Sequence, residues 1–130
     1  MNWAATEFES IDLGDPRRNR RVIRLVERLS ANPTASIPQA CGDWADTIAA
    51  YRFFGNEDVE WTDILAPHVE HSTKRMATHP AVLCIQDTTE LDFNGQEASG
   101  LGPLSYERQR GMYVHPTYAV STSREPLGVL

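Results

Sequence analysis

Asp15-Pro16 followed by Arg17-Arg18-Asn19-Arg20-Arg21-Val22-Ile23-Arg24 leaves the chain little choice but a two-faced helix. Aspartate is a preferred N-cap, and proline at the first helical position loses only an N–H that would have no partner there. The pattern predicts a helix running to about Ala31, stopped by Asn32-Pro33. At about 100° per residue, Arg17, Arg20, Arg21, Arg24 and Arg28 fall within an arc of roughly 100°. Val22, Leu25, Val26 and Leu29 occupy a second arc of similar width, rotated by about 130°. One face is built to pack and the other is nearly all guanidinium.

The charge makes this face unusual. Residues 17–28 hold six of the twelve Lys+Arg and one acid, Glu27, a local charge of +5 that leaves −11 for the rest of a chain whose net charge is −6. Solvated helix faces ordinarily alternate sign, because like charges one turn apart repel. A segregated basic stripe on an acidic protein asks for a polyanion, and double-stranded DNA is the first candidate. The acidic total excludes a histone-like coating protein, so contact must be local and geometric. No apolar run approaches the ~18 residues of a membrane span, and Met1-Asn2-Trp3 lacks the basic-then-apolar start of a secretory signal. The expectation is a cytoplasmic chain with no membrane partner, whose two cysteines, Cys41 and Cys84, are free buried thiols.

Around this helix the first 78 residues read as all-helical. Trp3, Phe8 and Ile11 form a short lead-in that packs back on the body. Ser36-Ile37-Pro38-Gln39 has capping-box spacing and opens one turn that Gly42 ends. Asp43 caps a helix from Trp44 to about Phe54, closed by Gly55-Asn56, with Trp44, Ile48 and Tyr51 inward. A further helix covers Trp61 to about Ala77, kinked or restarted at Pro67, with Ile64, Leu65, His68 and Val69 on its apolar stripe. Trp3, Trp44 and Trp61 are read as core or staple residues, and His68 as a packing residue.

From residue 79 the texture changes. Ala81-Val82-Leu83-Cys84-Ile85-Gln86 has the form of a strand buried on both faces, ended by Asp87-Thr88-Thr89. Residues 92–111 form a long loop or hairpin connection, Met112–Ser121 a second strand, and Leu127–Leu130 the start of a third after a turn at Arg124-Glu125-Pro126. Asp87, at the C-terminal end of an apolar strand, stands where α/β sheets place active-site acids. An Asp-x-Asp-x-Thr phosphatase pattern fails because Thr89 replaces the second Asp. Two readings remain: a metal-ligating acid of a ribonuclease-H-like fold, or an Asp that merely caps the turn.

The ordered segments Leu13-Gly14-Asp15-Pro16-Arg17-Arg18, Ala50-Tyr51-Arg52-Phe53-Phe54, Ile64-Leu65-Ala66-Pro67-His68, Leu83-Cys84-Ile85-Gln86-Asp87-Thr88-Thr89 and Gly111-Met112-Tyr113-Val114-His115 resemble the start of bacterial cut-and-paste DDE transposases of the transposon-five and insertion-sequence-four type. The resemblance implies an α+β chain. Residues 1–78 would be an all-helical domain that binds the transposon end, and 79–130 the first strands of a ribonuclease-H-like α/β core, incomplete here. It implies DNA contacts from Arg17, Arg18, Arg21 and Arg24. The helical face adds Arg20 and Arg28, and the Tyr51-Arg52 motif brings in Arg52. It also implies that Asp87 is the first catalytic acid and a Mg²⁺ ligand.

The family needs a second Asp and a Glu, and Glu90, Asp92 and Glu97 do not match their positions. One carboxylate cannot hold a pair of Mg²⁺ ions about 4 Å apart. The expectation is a DNA-binding transposase part that is not catalytic alone. An alternative is a short form that is completed by, or inhibits, an intact transposase, or that forms a homo-oligomer.

Overall fold

The computed structural model describes residues 2–130, which divide within the last helix into one unit ending at His71 and a second, Ser72–Leu130.

The first unit is helical: α1 (Trp3–Glu7), α2 (Pro16–Ala31), α3 (Ile37–Cys41), α4 (Trp44–Phe54) and the first part of α5 (Trp61–Met76). Its helix starts are made by side chains that satisfy backbone N–H groups left without partners in the first turn. Asn2 accepts from the Ala4 N–H, Asp15 from the Arg17 N–H and Asp43 from the Asp46 N–H. Ser36 and Gln39 form a reciprocal capping box. Gly42 ends α3 at φ +81°, in the left-handed region that glycine enters without a Cβ clash. The core gathers Phe8, Ile11, Leu13, Val22, Leu25, Cys41, Ala50 and Phe53, with Ile23, Val26, Ile37, Val59 and Ile64 at its edge.

The structure corrects expectations for this unit. α4 turns Asp46, Thr47, Ala50 and Phe53 inward and leaves Trp44 and Tyr51 exposed. Asp46 is inside because arginines of α2 take up its charge, while the Thr47 hydroxyl donates to the Asp43 carbonyl at 2.7 Å. The tryptophans are not core residues: Trp3, Trp44 and Trp61 are 55%, 77% and 70% exposed. They sit at or near helix starts, where polar capping groups set the chain direction. α5 runs through Pro67 as one assigned helix, and Pro67 is buried. His68, read as a packing residue, has its Nδ1 2.6 Å from Glu7 Oε1.

The second unit holds the last turns of α5 and two small antiparallel sheets. β1 (Val82–Gln86), β5 (Thr117–Ser121) and β6 (Pro126–Val129) pair in the order β1-β5-β6, in register Val82 with Ser121 and Gln86 with Thr117. β2 (Thr89–Asp92), β3 (Gly102–Pro103) and β4 (Arg110–Val114) pair in the order β2-β4-β3. The predicted single strand 112–121 is therefore two strands in different sheets, divided at His115-Pro116. Proline there has no N–H to give a ladder and fixes φ. The residue 92–111 connection is the far end of the β2–β4 hairpin, with β3 added inside it. Gly111 is required in β4, since a Cβ would lie 2.0 Å from the Leu91 carbonyl oxygen.

β1 is not buried on both faces. Leu83, Cys84 and Ile85 are exposed, so Cys84 is an exposed thiol while Cys41 is a buried one. Burial in this unit gathers elsewhere, at Ser72, Leu104, Gly111, Ala119, Ser121 and Leu127. The end of α5 lies over β6, where the Arg75 Nε donates to the Leu127 carbonyl at 2.6 Å.

Candidate nucleic-acid interface

α2 places its arginines as its periodicity requires, and Val22 and Leu25 on the opposite side fix the helix against the core. Arg17, Arg20, Arg21 and Arg24 line one surface hollow. A second hollow is bordered by Arg20, Ile23, Arg24, Glu27 and Arg28. A third lies between α2 and α4, bordered by Arg17, Arg18, Arg21 and Arg52 together with Ala45 and Ile48 of α4. Arg52, read from sequence only as a basic residue near this side, joins the α2 arginines in one groove.

The guanidinium face is not bare, and this is what sequence reading missed. Arg21 reaches Asp46 Oδ1 at 3.0 Å, Arg24 reaches Oδ2 at 2.6 Å, and Arg28 approaches Oδ2 at 3.7 Å. The Asp46 side chain is only 12% exposed, so one nearly buried carboxylate gathers three arginines. Arg17 pairs with its own helix cap, Asp15, at 2.9 Å, and Arg18 pairs with Asp58 at 2.6 Å. Among the described residues no ion pair involves Arg20 or Arg52. Six arginines of α2 thus face three acids, and the surface keeps net positive charge after pairing.

The carboxylates titrate accordingly. The Arg17 guanidinium, with its backbone N–H, holds Asp15 down at about 2, and Asp15 in turn raises Arg17. Arg24 above all, helped by Arg21, lowers Asp46 against the opposing effect of burial, and Arg24 is raised in return. All these groups are charged at neutral pH. Guanidinium pairs planar oxyanions through paired N–H donors, and Arg24 already uses Nε and a terminal nitrogen on one Asp46 oxygen, at 2.8 and 2.6 Å. The same fork fits a phosphate.

Asp87 lies just past β1, exposed, with its Oδ1 accepting the Thr88 N–H at 2.8 Å. That bond has the form of a local turn cap. Thr88 in turn contacts His115 Nδ1 at 2.6 Å. Glu90 is taken up by Ser105, whose backbone and hydroxyl both donate to it and lower it, and Asp92 accepts from Gln109 at 2.9 Å. No group of three or more His, Cys, Asp or Glu among the described residues could hold a metal ion. The residues present therefore do not fit a Mg²⁺ pair, with Asp87 standing as a single acid. No described helix is long and apolar enough to cross a membrane.

The helical unit, its capped α2 and its arginine groove meet one finding from comparison with known families. Residues 1–59 match the family model described as transposase DNA-binding, a span that contains α1 to α4 and every arginine of the groove. The helical part of this chain is thus similar to the DNA-binding part of transposases, and that similarity supports a DNA-binding, transposase-type chain.

Proposed function

We propose that the helical unit binds double-stranded DNA at the end of a transposable element of the cut-and-paste type. Phosphates would lie along the guanidinium face of α2 and in the groove it shares with Arg52. The observation that carries this reading is the hollow lined by Arg17, Arg20, Arg21 and Arg24, within a segment similar to transposase DNA-binding domains. Four guanidiniums converge on one concavity of an acidic protein, on the side of the helix away from its apolar core, and Arg20 among them has no acid partner among the described residues.

The strand unit is read as the opening of a ribonuclease-H-like core, with Asp87 as its first carboxylate. The support is its place directly after β1 and its exposure. Because it stands as a lone acid, this chain binds DNA without cutting it. Mg²⁺-dependent nicking of plasmid by the purified chain, abolished by Asp87→Ala, would refute that statement.

The binding reading is tested by fluorescence anisotropy with a labelled mixed-sequence 20-base-pair duplex over a range of salt. Arg20 is the informative position, because it has no acid partner to complicate its removal. Arg20→Ala should weaken binding about tenfold at low salt and flatten the slope of log K against log salt by about one. Binding that ignores salt, or a slope that Arg20→Ala leaves unchanged, sinks the assignment.

A further inference from the structure

We propose that Asp15, Asp46 and Asp58 are resident counter-anions of the arginine face, occupying guanidinium forks that DNA phosphates must take over. The inference rests on the DNA-binding reading and adds a device that sets how tightly the face holds any duplex. Five of the six α2 arginines are matched to these three acids, each at a different place on the helix. Asp15 stands at the N-terminus of α2. Asp46 reaches in from α4 to meet the three arginines of its later turns. Asp58 comes from the segment after α4 and holds Arg18, which also donates to the Leu13 carbonyl at 3.3 Å.

A carboxylate and a phosphate oxygen compete for the same donors, with similar geometry and the same sign of charge. A phosphate arriving at Arg24 must either displace Asp46 Oδ2 or share its guanidinium, at closer range to a like charge. Each acid thus lowers the net charge the face offers to DNA and adds an exchange step to binding. The cost falls on every duplex alike, because phosphates carry no sequence information. Specific and non-specific duplexes lose the same factor in affinity, and contacts to base edges keep their full value. The arrangement also holds the guanidiniums in fixed rotamers before DNA arrives, since Asp46 is nearly buried and anchored on α4.

The test is the anisotropy titration of the full chain with the mixed-sequence duplex, applied to Asp46→Asn, Asp58→Asn and Asp15→Asn. Asparagine keeps the shape and removes the charge. Each variant should bind the duplex about 3- to 10-fold more tightly at 50 mM salt, with a slope steeper by up to about one. Asp46→Glu, which restores the charge, should return toward wild-type behaviour. Asp46→Asn carries a folding risk, so circular dichroism accompanies it. Asp58 is largely exposed, and asparagine is as good a helix cap as aspartate, so the other two variants decide the matter if that one unfolds.

Should the wild type bind with steep salt dependence while the folded asparagine variants bind no tighter, the counter-anion inference is wrong and the DNA reading stands. Absence of duplex binding by wild type and variants alike, even at low salt, removes both. Binding gained only by the variants supports the inference most strongly.

Discussion

The two units of this chain are built on different physics. In the helical unit the starts of α1 to α4 are secured by nearby polar side chains, and the apolar residues between them close on one another around Phe8, Leu25 and Phe53. In the strand unit the backbone is paired in two three-stranded ladders, yet many large apolar side chains stay in water, Leu83, Ile85, Met112 and Tyr113 among them. The contrast teaches that hydrogen-bonded regularity and burial are separate achievements. Backbone pairing gives a sheet its shape, whereas most of its stability comes from covering a face, and small sheets with open faces are marginal in water. The charged residues differ in the same sense. Arginines of the first unit are organised around a nearly buried acid, while the acids of the second unit serve loops and turns.

The sharpest way to break this comparison is a pair of truncations. Phe53→Ala, at 6% exposure in the helical core, should cost about 3–5 kcal/mol by denaturant unfolding. Ile85→Ala, at 51% exposure on β1, should cost less than about 1 kcal/mol. Equal costs would mean that β1 is covered in solution and that the contrast is false. Next in size is the helix start of α4: Asp43→Ala removes the 2.7 Å bond to the Asp46 N–H and should cost about 1 kcal/mol. A value near zero would show that the cap is replaced by water without loss.

The smallest effect is the acid one, and its sign follows from the depressed carboxylates. Asp15 titrates near 2 in the folded chain instead of its ordinary 3.8, so the unfolded chain binds more protons between those values. The stabilisation is full above about pH 5 and disappears as pH falls toward 2. Asp46 is depressed in the same direction and acts in the same window. Thermal melts of wild type and Asp15→Asn should therefore differ by a constant amount above about pH 5 and converge in stronger acid. Divergence on acidification would contradict the Arg17–Asp15 pairing.

Much of the helical unit was legible because its signals are local. Asp15-Pro16, Ser36 with Gln39, Gly42 and Asp43 each act on backbone groups within about four residues, and the helices start and stop where these residues stand. The two faces of α2 were legible for the same reason, since helical period alone separates Arg17, Arg20, Arg21, Arg24 and Arg28 from Val22 and Leu25. The inward face of α4 was not, because its apolar residues are spread around the helix and a weak stripe cannot say which side turns in. The division of 112–121 had a signal, Pro116, that outweighs the apolar alternation around it. The exposure of Leu83 and Ile85 had none, as an apolar run looks alike whether or not a neighbour covers it.

What the sequence determined by itself is therefore whatever is decided within a turn of helix: the caps, the segregation of charge on α2, and the end of β1 just before Asp87. Tertiary structure alone decided that Asp46, more than twenty residues away from Arg21 and Arg24, stands among them, and that Arg52 borders the same groove. It also decided that all three tryptophans stay in water. The physical reason is range. Backbone capping and helical period act between neighbours in the chain, whereas an ion pair or a buried face exists only once distant segments have been brought together, and nothing in the local pattern records which segments those are.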